Sequence, residues 1–252
     1  MADLEPSRLS GQVVLITGAE SGIGRETALR AAGEGADIAA IGLDTDGLHS
    51  LVERVRAMGR RAATRSADVS QAQLLTAAVD GLVSELGLLS VAYANAGILM
   101  PATTVTDVDL DEWNRVLAVN LTGVLLTFRA AIPHFPTDGG LLLATGSSIA
   151  SRPGIGLLAY AAAKAGVHTI ARSLALELAP RRIRVNVIAP GLTETPMTRG
   201  IPGHIDRGLE GIPLAEVVQA SDVAALAVYL MSNEARSITG SVFSIDAGRT
   251  AV

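Results

Sequence analysis

The chain has 252 residues, 49% hydrophobic and 18% charged, enough to bury a large core. Its net charge is -5, and the short cluster of Arg181, Arg182 and Arg184 is the nearest thing to a basic run, which argues against nucleic acid as a partner. With no cysteine, disulfides and thiolate chemistry are excluded, and the composition fits a reducing compartment.

The first residues, MADLEPSRLSG, carry acids and no apolar stretch of signal-peptide length. No apolar run reaches the roughly 20 residues that a membrane span needs. A soluble, cytoplasmic protein with no membrane contact is expected. Aromatic residues are only 3%, so the core must be built from Ala, Val, Leu and Ile, which suits helices packed closely on a parallel sheet.

Gln12 to Thr17 is a nearly continuous apolar run, as in a strand buried on both faces. Gly18, Gly22 and Gly24 follow at once, then a helical pattern from Arg25 to Glu34. Strand, glycine-rich turn and helix are the context of a dinucleotide site: glycines let the backbone approach a pyrophosphate, and the new helix offers unpaired N–H groups. The spacing is G-x-x-x-G-x-G rather than G-x-G-x-x-G.

The alternation continues with a strand over 37–43, a helix over 48–58, a strand over 61–67 and a helix over 71–86. A strand over 89–94 follows, ending at Asn95-Ala96-Gly97. A long helix is expected over 109–132, a strand over 141–145, a helix over 157–178, a strand over 183–188, a helix over 222–231 and a last strand over 242–245. Repeated βα units with no break in composition predict one α/β domain spanning 1–252, a doubly wound parallel sheet of the Rossmann kind with helices on both faces. Ligands of such a sheet bind beyond the carboxyl ends of its strands. Gly18, Asp68, Asn95, Ser147 and Pro190 all sit just past predicted strand ends and should converge on one crevice.

Ser147 precedes Tyr160 by thirteen residues, and Lys164 follows Tyr160 by four on the same helix. Residues i and i+4 share a helical face, which aligns the phenol and the ammonium. A phenol titrates near about 10, and a neighbouring cation stabilises the phenolate, so the couple can move a proton on or off a carbinol oxygen.

In this order and spacing the residues resemble the short-chain dehydrogenase/reductase family over essentially the whole chain. The resemblance rests on Thr17, Gly18, Gly22, Ile23 and Gly24, on Asp68-Val69, on Asn95-Ala96-Gly97, on Asn120 in VNLTG, and on Ser147, Tyr160 and Lys164. Pro190-Gly191 with Thr195 completes it. It implies a catalytic set of Ser147, Tyr160, Lys164 and Asn120: Tyr160 as proton donor or acceptor, Ser147 orienting the substrate oxygen, Asn120 anchoring a water-linked relay. It also implies Gly18, Ser21, Gly22, Ile23 and Gly24 at the pyrophosphate, Asp68 and Val69 at the adenine, and Asn95 and Gly97 beside the adenosine and the fourth-strand turn. Lys164 would hold the nicotinamide ribose, with Ile188, Pro190, Gly191 and Thr195 on the carboxamide side. The motif that usually opens Asn-Asn begins here Ala94-Asn95, and Ser148 beside Ser147 reads as a turn residue.

An acid at the end of the second strand would bond a ribose diol and repel a 2′-phosphate. That position falls on Gly42, with Leu43 next, and neither Ser21 nor Leu43 is basic. NAD is expected over NADP, with Asp44 reaching the ribose, although Asp44 also suits a helix start. His49, His134, His168 and His204 show no ligand spacing, and no metal is expected. The acidic run 107–112 lacks the glycine of a calcium loop and reads as a helix start, with Trp113 as packing.

The Gly- and Pro-rich stretch at about 195–220 reads as an irregular loop closing over the substrate. Ile98, Leu99, Met100, Ile149, Leu157, Leu192 and Met197 suggest an apolar pocket, with Arg152 exposed nearby. The leading reading is an NAD(P)-dependent oxidoreductase of secondary alcohols and ketones. Reduction of a 3-oxoacyl thioester and an inactive dinucleotide-binding regulator are the alternatives. Apolar surface on the two long helices, with the family's habit of pairing, implies a homo-oligomer, a tetramer in particular.

Overall fold

The computed structural model describes residues 7–200 and 204–252. The chain alternates β1 (Val13–Thr17), α1 (Gly22–Gly33), β2 (Asp37–Gly42), α2 (Thr45–Ala57), β3 (Ala62–Ser66), α3 (Ala72–Leu86) and β4 (Val91–Ala94). It continues through α4 (Leu110–Leu117), α5 (Gly123–Ala131), β5 (Gly140–Thr145), α6 (Leu158–Leu178) and β6 (Ile183–Pro190). The remainder is β7 (Thr193–Glu194), α7 (Pro196–Arg199), α8 (His204–Leu209), β8 (Val218–Gln219), α9 (Ala220–Met231) and β9 (Val242–Ile245).

Seven strands pair in the order β3-β2-β1-β4-β5-β6-β9, all parallel. The inner strands β1, β4 and β5 read as nearly unbroken apolar runs because both of their faces are covered. Leu15 and Ala39 face a core built with Leu75, Val79 and Leu82 of α3, Phe128 of α5 and Val167 and Ala171 of α6. Val14 and Ile38 face the opposite core with Ala28 of α1, Leu51 and Val55 of α2 and Val223 and Ala227 of α9. Each fully buried Leu, Ile or Phe side chain contributes about 1.5–3 kcal/mol. Small side chains at Ala28, Ala31, Ala224 and Ala227, all buried, let α1 and α9 pack closely.

Strand order reverses direction between β1 and β4, each of which pairs with the other and with an outward neighbour. The crevice at such a switch point is where ligands of these sheets bind. The turns after β1 and β4 and the segment after β5 all open into it.

Two expectations change. The long helix is not uniform: between α4 and α5, Ala118–Thr122 forms a π turn, a feature that apolar periodicity does not reveal and that frequently marks functional sites. The whole helical run Leu110–His134 is long and apolar enough to cross a membrane, but it lies on the sheet with Val116, Val124, Phe128 and Ala131 buried. The stretch at 195–220 is also more ordered than its composition suggests. It holds α7 and α8, and its two ends pair as the parallel strands β7 and β8. Pro202 and Gly203 lie outside the described residues.

The acidic run does start a helix: the Asp109 carboxylate accepts from the N–H groups of Asp111 and Glu112 at 2.8 and 3.1 Å. Among the described residues no cluster of His, Asp or Glu side chains could hold a metal ion.

Candidate active site

The turn after β1 is shaped by glycines. Gly18 adopts φ +65°, and a Cβ on Gly24 would sit 2.1 Å from the Gly18 carbonyl oxygen, so the turn closes only without side chains at these points. Asn95 braces it from β4: its Nδ2 donates to the carbonyls of Thr17 and Gly18 at 3.1 and 3.2 Å. The Thr17 hydroxyl in turn accepts from the N–H groups of Asn95 and Ala96. Ser21 is the N-cap of α1, and its hydroxyl makes no capping bond. The first N–H groups of a helix lack partners within it, so this turn offers an anion donors and a positive dipole end.

Tyr160 and Lys164 lie one turn apart on α6. Lys164 is only 2% exposed, donates to the Thr145 carbonyl at 2.7 Å and places Nζ 5.6 Å from the Tyr160 ring centre. Burial lowers its ammonium from an ordinary 10.5 to about 8. Burial raises the Tyr160 phenol above its ordinary value, while hydrogen bonding with Ser147 pulls the other way. Ser147 is extended at φ −166° and caps the short helical turn that follows, accepting from the N–H of Ile149 at 3.2 Å. Ser148 points elsewhere: its hydroxyl accepts from Arg249 at 3.3 Å.

Asn120 is fully buried in the π turn. Its Nδ2 donates to the carbonyls of Ile98 and Val116 at 2.9 and 3.1 Å, and its Oδ1 accepts from the N–H of Ile98 at 3.1 Å. Both amide hydrogens are therefore committed to backbone. Gly97 is required beside it, since a Cβ there would fall 2.7 Å from Asn120 Oδ1.

These groups surround one cavity of about 1130 Å³, ample for a dinucleotide with a small molecule beside it. Gly18, Ser21, Gly22, Ile23, Asp68, Val69, Asn95, Gly97, Asn120, Ser147, Tyr160, Lys164, Pro190, Gly191 and Thr195 all line it. So do the apolar residues expected at the mouth, from Ile98 to Met197, and Arg152. The Asp68 carboxylate is held by the N–H and hydroxyl of Ser70, both at 2.8 Å.

Three residues are placed differently from expectation. Asp44 does not line the cavity; its carboxylate accepts from the N–H groups of Asp46 and Gly47 at the start of α2. Ile188 does not line it either, because β6 runs on to Pro190 and buries the Ile188 side chain in the sheet core. Gly24 stands behind the turn rather than on the cavity wall.

Sequence reasoning also missed Glu20 and Thr193, which line the cavity, and the bridging hydroxyl of Thr145. That hydroxyl lies 2.7 Å from the Tyr93 hydroxyl and 2.9 Å from Asn95 Oδ1. The one signal for Glu20 was an acid inside a glycine turn together with a glycine where β2 ends.

Comparison with known proteins agrees along the whole chain. A family model described as enoyl-(acyl carrier protein) reductase matches residues 18–250. The (-)-trans-carveol dehydrogenase of Rhodococcus erythropolis is 35% identical, over 97% of this chain and 99% of that protein. The structure of a short-chain dehydrogenase from Burkholderia cenocepacia in complex with NADP superposes with a TM-score of 0.92 at 35% identity, covering 96% of this chain and 99% of that one. Carveol dehydrogenase from Mycobacterium avium in complex with NAD gives 0.90 at 31% identity, covering 98% and 100%. With the glycine turn, the Ser147, Tyr160 and Lys164 set and these relatives all in register, the chain belongs to the short-chain dehydrogenase/reductase family.

Proposed function

We propose that this protein is an NAD(P)-dependent oxidoreductase that interconverts a secondary alcohol and its ketone, with the whole chain acting as one cofactor-binding and catalytic unit. The observation that carries the reading is the meeting of Tyr160, Lys164 and Ser147 with the Gly18 turn around a single cavity. The residues fit a dinucleotide. Gly18, Ser21 and Gly22 put turn backbone on the cavity wall, glycine at 18 and 24 lets that turn close against Ala96 and itself, and the N-terminus of α1 opens beside it. Solved relatives bind NAD or NADP at comparable similarity.

Bound nicotinamide would supply the hydride acceptor or donor. In the oxidative direction Tyr160, as the phenolate, would take the carbinol proton and release it afterwards to solvent, so that the bound group has only the carbon-bound hydrogen to accept. Ser147 orients the substrate oxygen. Lys164, held by the Thr145 carbonyl, lends the positive charge that makes a phenolate accessible within a buried site that otherwise disfavours it. Asn120 spends its amide hydrogens on Ile98 and Val116, so it fixes the π turn, and any relay through this residue uses its main chain or the second lone pair of Oδ1.

The apolar mouth, including Leu157, Leu192 and Met197, favours an apolar alicyclic alcohol, in keeping with the names of the carveol dehydrogenases. The segment at 195–220 acts as the lid, contributing Met197, Gly208 and Glu210 to the cavity. The test is nicotinamide absorbance with a panel of cyclic and acyclic secondary alcohols: turnover is expected on cyclic ones. Cofactor binding without turnover on any alcohol or ketone would favour an inactive regulator, and turnover confined to 3-oxoacyl thioesters the reductase alternative, in keeping with the name of a 35% identical relative, the 3-oxoacyl-[acyl-carrier-protein] reductase of Thermotoga maritima.

The protein acts as a cytoplasmic homotetramer in this reading, with neither membrane nor nucleic acid as partner. In support, Leu110 of α4, Leu125 of α5 and Leu158 and Leu176 of α6 are 71%, 42%, 49% and 82% exposed. Light scattering on a size-exclusion peak is expected to give four times the chain mass, and a monomer mass would refute the assembly.

A further inference from the structure

We propose that Glu20, delivered from the glycine-rich turn, is the group that bonds the adenosine ribose and sets a preference for NAD over NADP. The assignment rests on the reading above, that the cavity holds a nicotinamide dinucleotide. Three observations carry it. First, β2 ends at Gly42 with no side chain, and a Cβ built there would fall 2.1 Å from Glu20 Oε2 and 2.5 Å from Glu20 Cδ. The Glu20 carboxylate thus fills the space into which an acid on the strand end would grow. A charge expected from β2 is present, but it arrives from another element.

Second, the carboxylate is anchored at one oxygen only. Oε1 accepts from the N–H of Leu43 at 3.2 Å, whereas Oε2 is buried with no hydrogen-bond partner. A buried carboxylate oxygen without a donor is costly, and a ribose hydroxyl would supply one. Glu20 lines the cavity together with Gly42, Leu43 and Asp68, on the side away from Tyr160 and Lys164 set by the order of the strands.

Third, nothing cationic shares that wall. Ser21 and Leu43 occupy the places where a basic side chain would meet a 2′-phosphate, and both line the cavity. Arg25, on the helix that follows the turn, does not line it and spends its guanidinium on the Gly47 carbonyl and the Ser50 hydroxyl, each at 3.0 Å. Asp44 is committed to the start of α2. A diol therefore meets an acceptor at Glu20, and a 2′-phosphate meets a like charge with no counter-ion.

Fluorescence titration of the ligand-free protein with NADH and with NADPH tests this. The wild type is expected to bind NADH at least about tenfold more tightly, from one charge-assisted hydrogen bond. Glu20→Gln keeps the shape, removes the charge and should reduce that ratio by roughly tenfold or more. Asp44→Asn should leave the ratio where it is. The decisive arm is a transfer: Glu20→Ala loses the preference, and Glu20→Ala with Gly42→Asp regains it, because the vacated space accepts an aspartate from the strand. A purely structural Glu20 would not be rescued in this way. An unchanged ratio in Glu20→Gln, or a ratio lost in Asp44→Asn, overturns the assignment while leaving the oxidoreductase reading intact. Wild-type protein that binds neither dinucleotide overturns both.

Discussion

Tyr160→Phe is expected to lower kcat by at least about 10²–10⁴, the usual share of a positioned acid–base group, with little change in cofactor affinity. The substitution deletes one oxygen from a ring that the structure already seats against the cavity wall, so shape and packing are kept. What disappears is the oxygen that, in the proposed mechanism, receives the carbinol proton. The phenol of the ligand-free protein is held above its ordinary value by burial, so the protonated form dominates at neutral pH and the phenolate must be called up during the reaction. The measurement is steady-state turnover beside a dinucleotide titration on the same preparation. Retained turnover in the phenylalanine variant would remove Tyr160 from the chemistry.

Lys164→Met is expected to abolish turnover and yet to stabilise the fold. The ammonium is 2% exposed, and its bond to the Thr145 carbonyl is a neutral partner, not a counter-charge. Its folded value of about 8 lies below the ordinary 10.5, so between these the unfolded chain binds more protons than the folded one. Stability contributed by this group therefore rises with pH across that window, and at pH 7 the full cost of sealing the charge is present. Methionine removes the cost and fills a similar volume, but leaves the Thr145 carbonyl short of a donor, worth about 1 kcal/mol in the opposite direction. The net gain at pH 7 is about 1–2 kcal/mol, or roughly 2–8 °C in Tm for a chain of this size. Melting curves at pH 7 and pH 10 check it: the gap between variant and wild type should shrink at the higher pH. A variant that melts lower at pH 7 would show that the ammonium finds compensation beyond the one carbonyl.

Much of this architecture is legible in the residues because a parallel sheet covered on both faces writes itself as short apolar runs separated by helical periods. Val13–Thr17 and Leu141–Thr145 are such runs, and they are strands. The Gly18 turn and the spacing from Ser147 to Lys164 are equally plain, since both depend on local geometry that few other residue types satisfy. What escapes is of another kind. A π turn at Ala118–Thr122 costs no change in composition, because one extra residue in a turn leaves apolar residues still roughly a turn apart. The extension of β6 to Pro190 buries Ile188, which the family resemblance had implied on the carboxamide side. Glu20 was hidden for a deeper reason. Its carboxylate and Gly42 lie on separate elements, and only the pairing of β1 with β2 brings the one onto the other. Asp44 was the nearer acid in the sequence, but in space its carboxylate is turned to the start of α2 and away from the cavity wall.

The small pairing of β7 with β8 fastens the two ends of the segment that carries α7 and α8. A loop closed at its base is mechanically insulated. Insertions, deletions or changes of shape between Glu194 and Val218 are therefore expected to leave β6 and α9 in the same positions, and closing a somewhat longer excursion costs only a fraction of a kcal/mol more, about 0.6 for a doubling. On the proposed reading of this segment as a lid, the scaffold is thereby free to exchange its cover without relearning how to fold, and a change of substrate range could be written into one stretch of chain while Ser147, Tyr160 and Lys164 stay fixed.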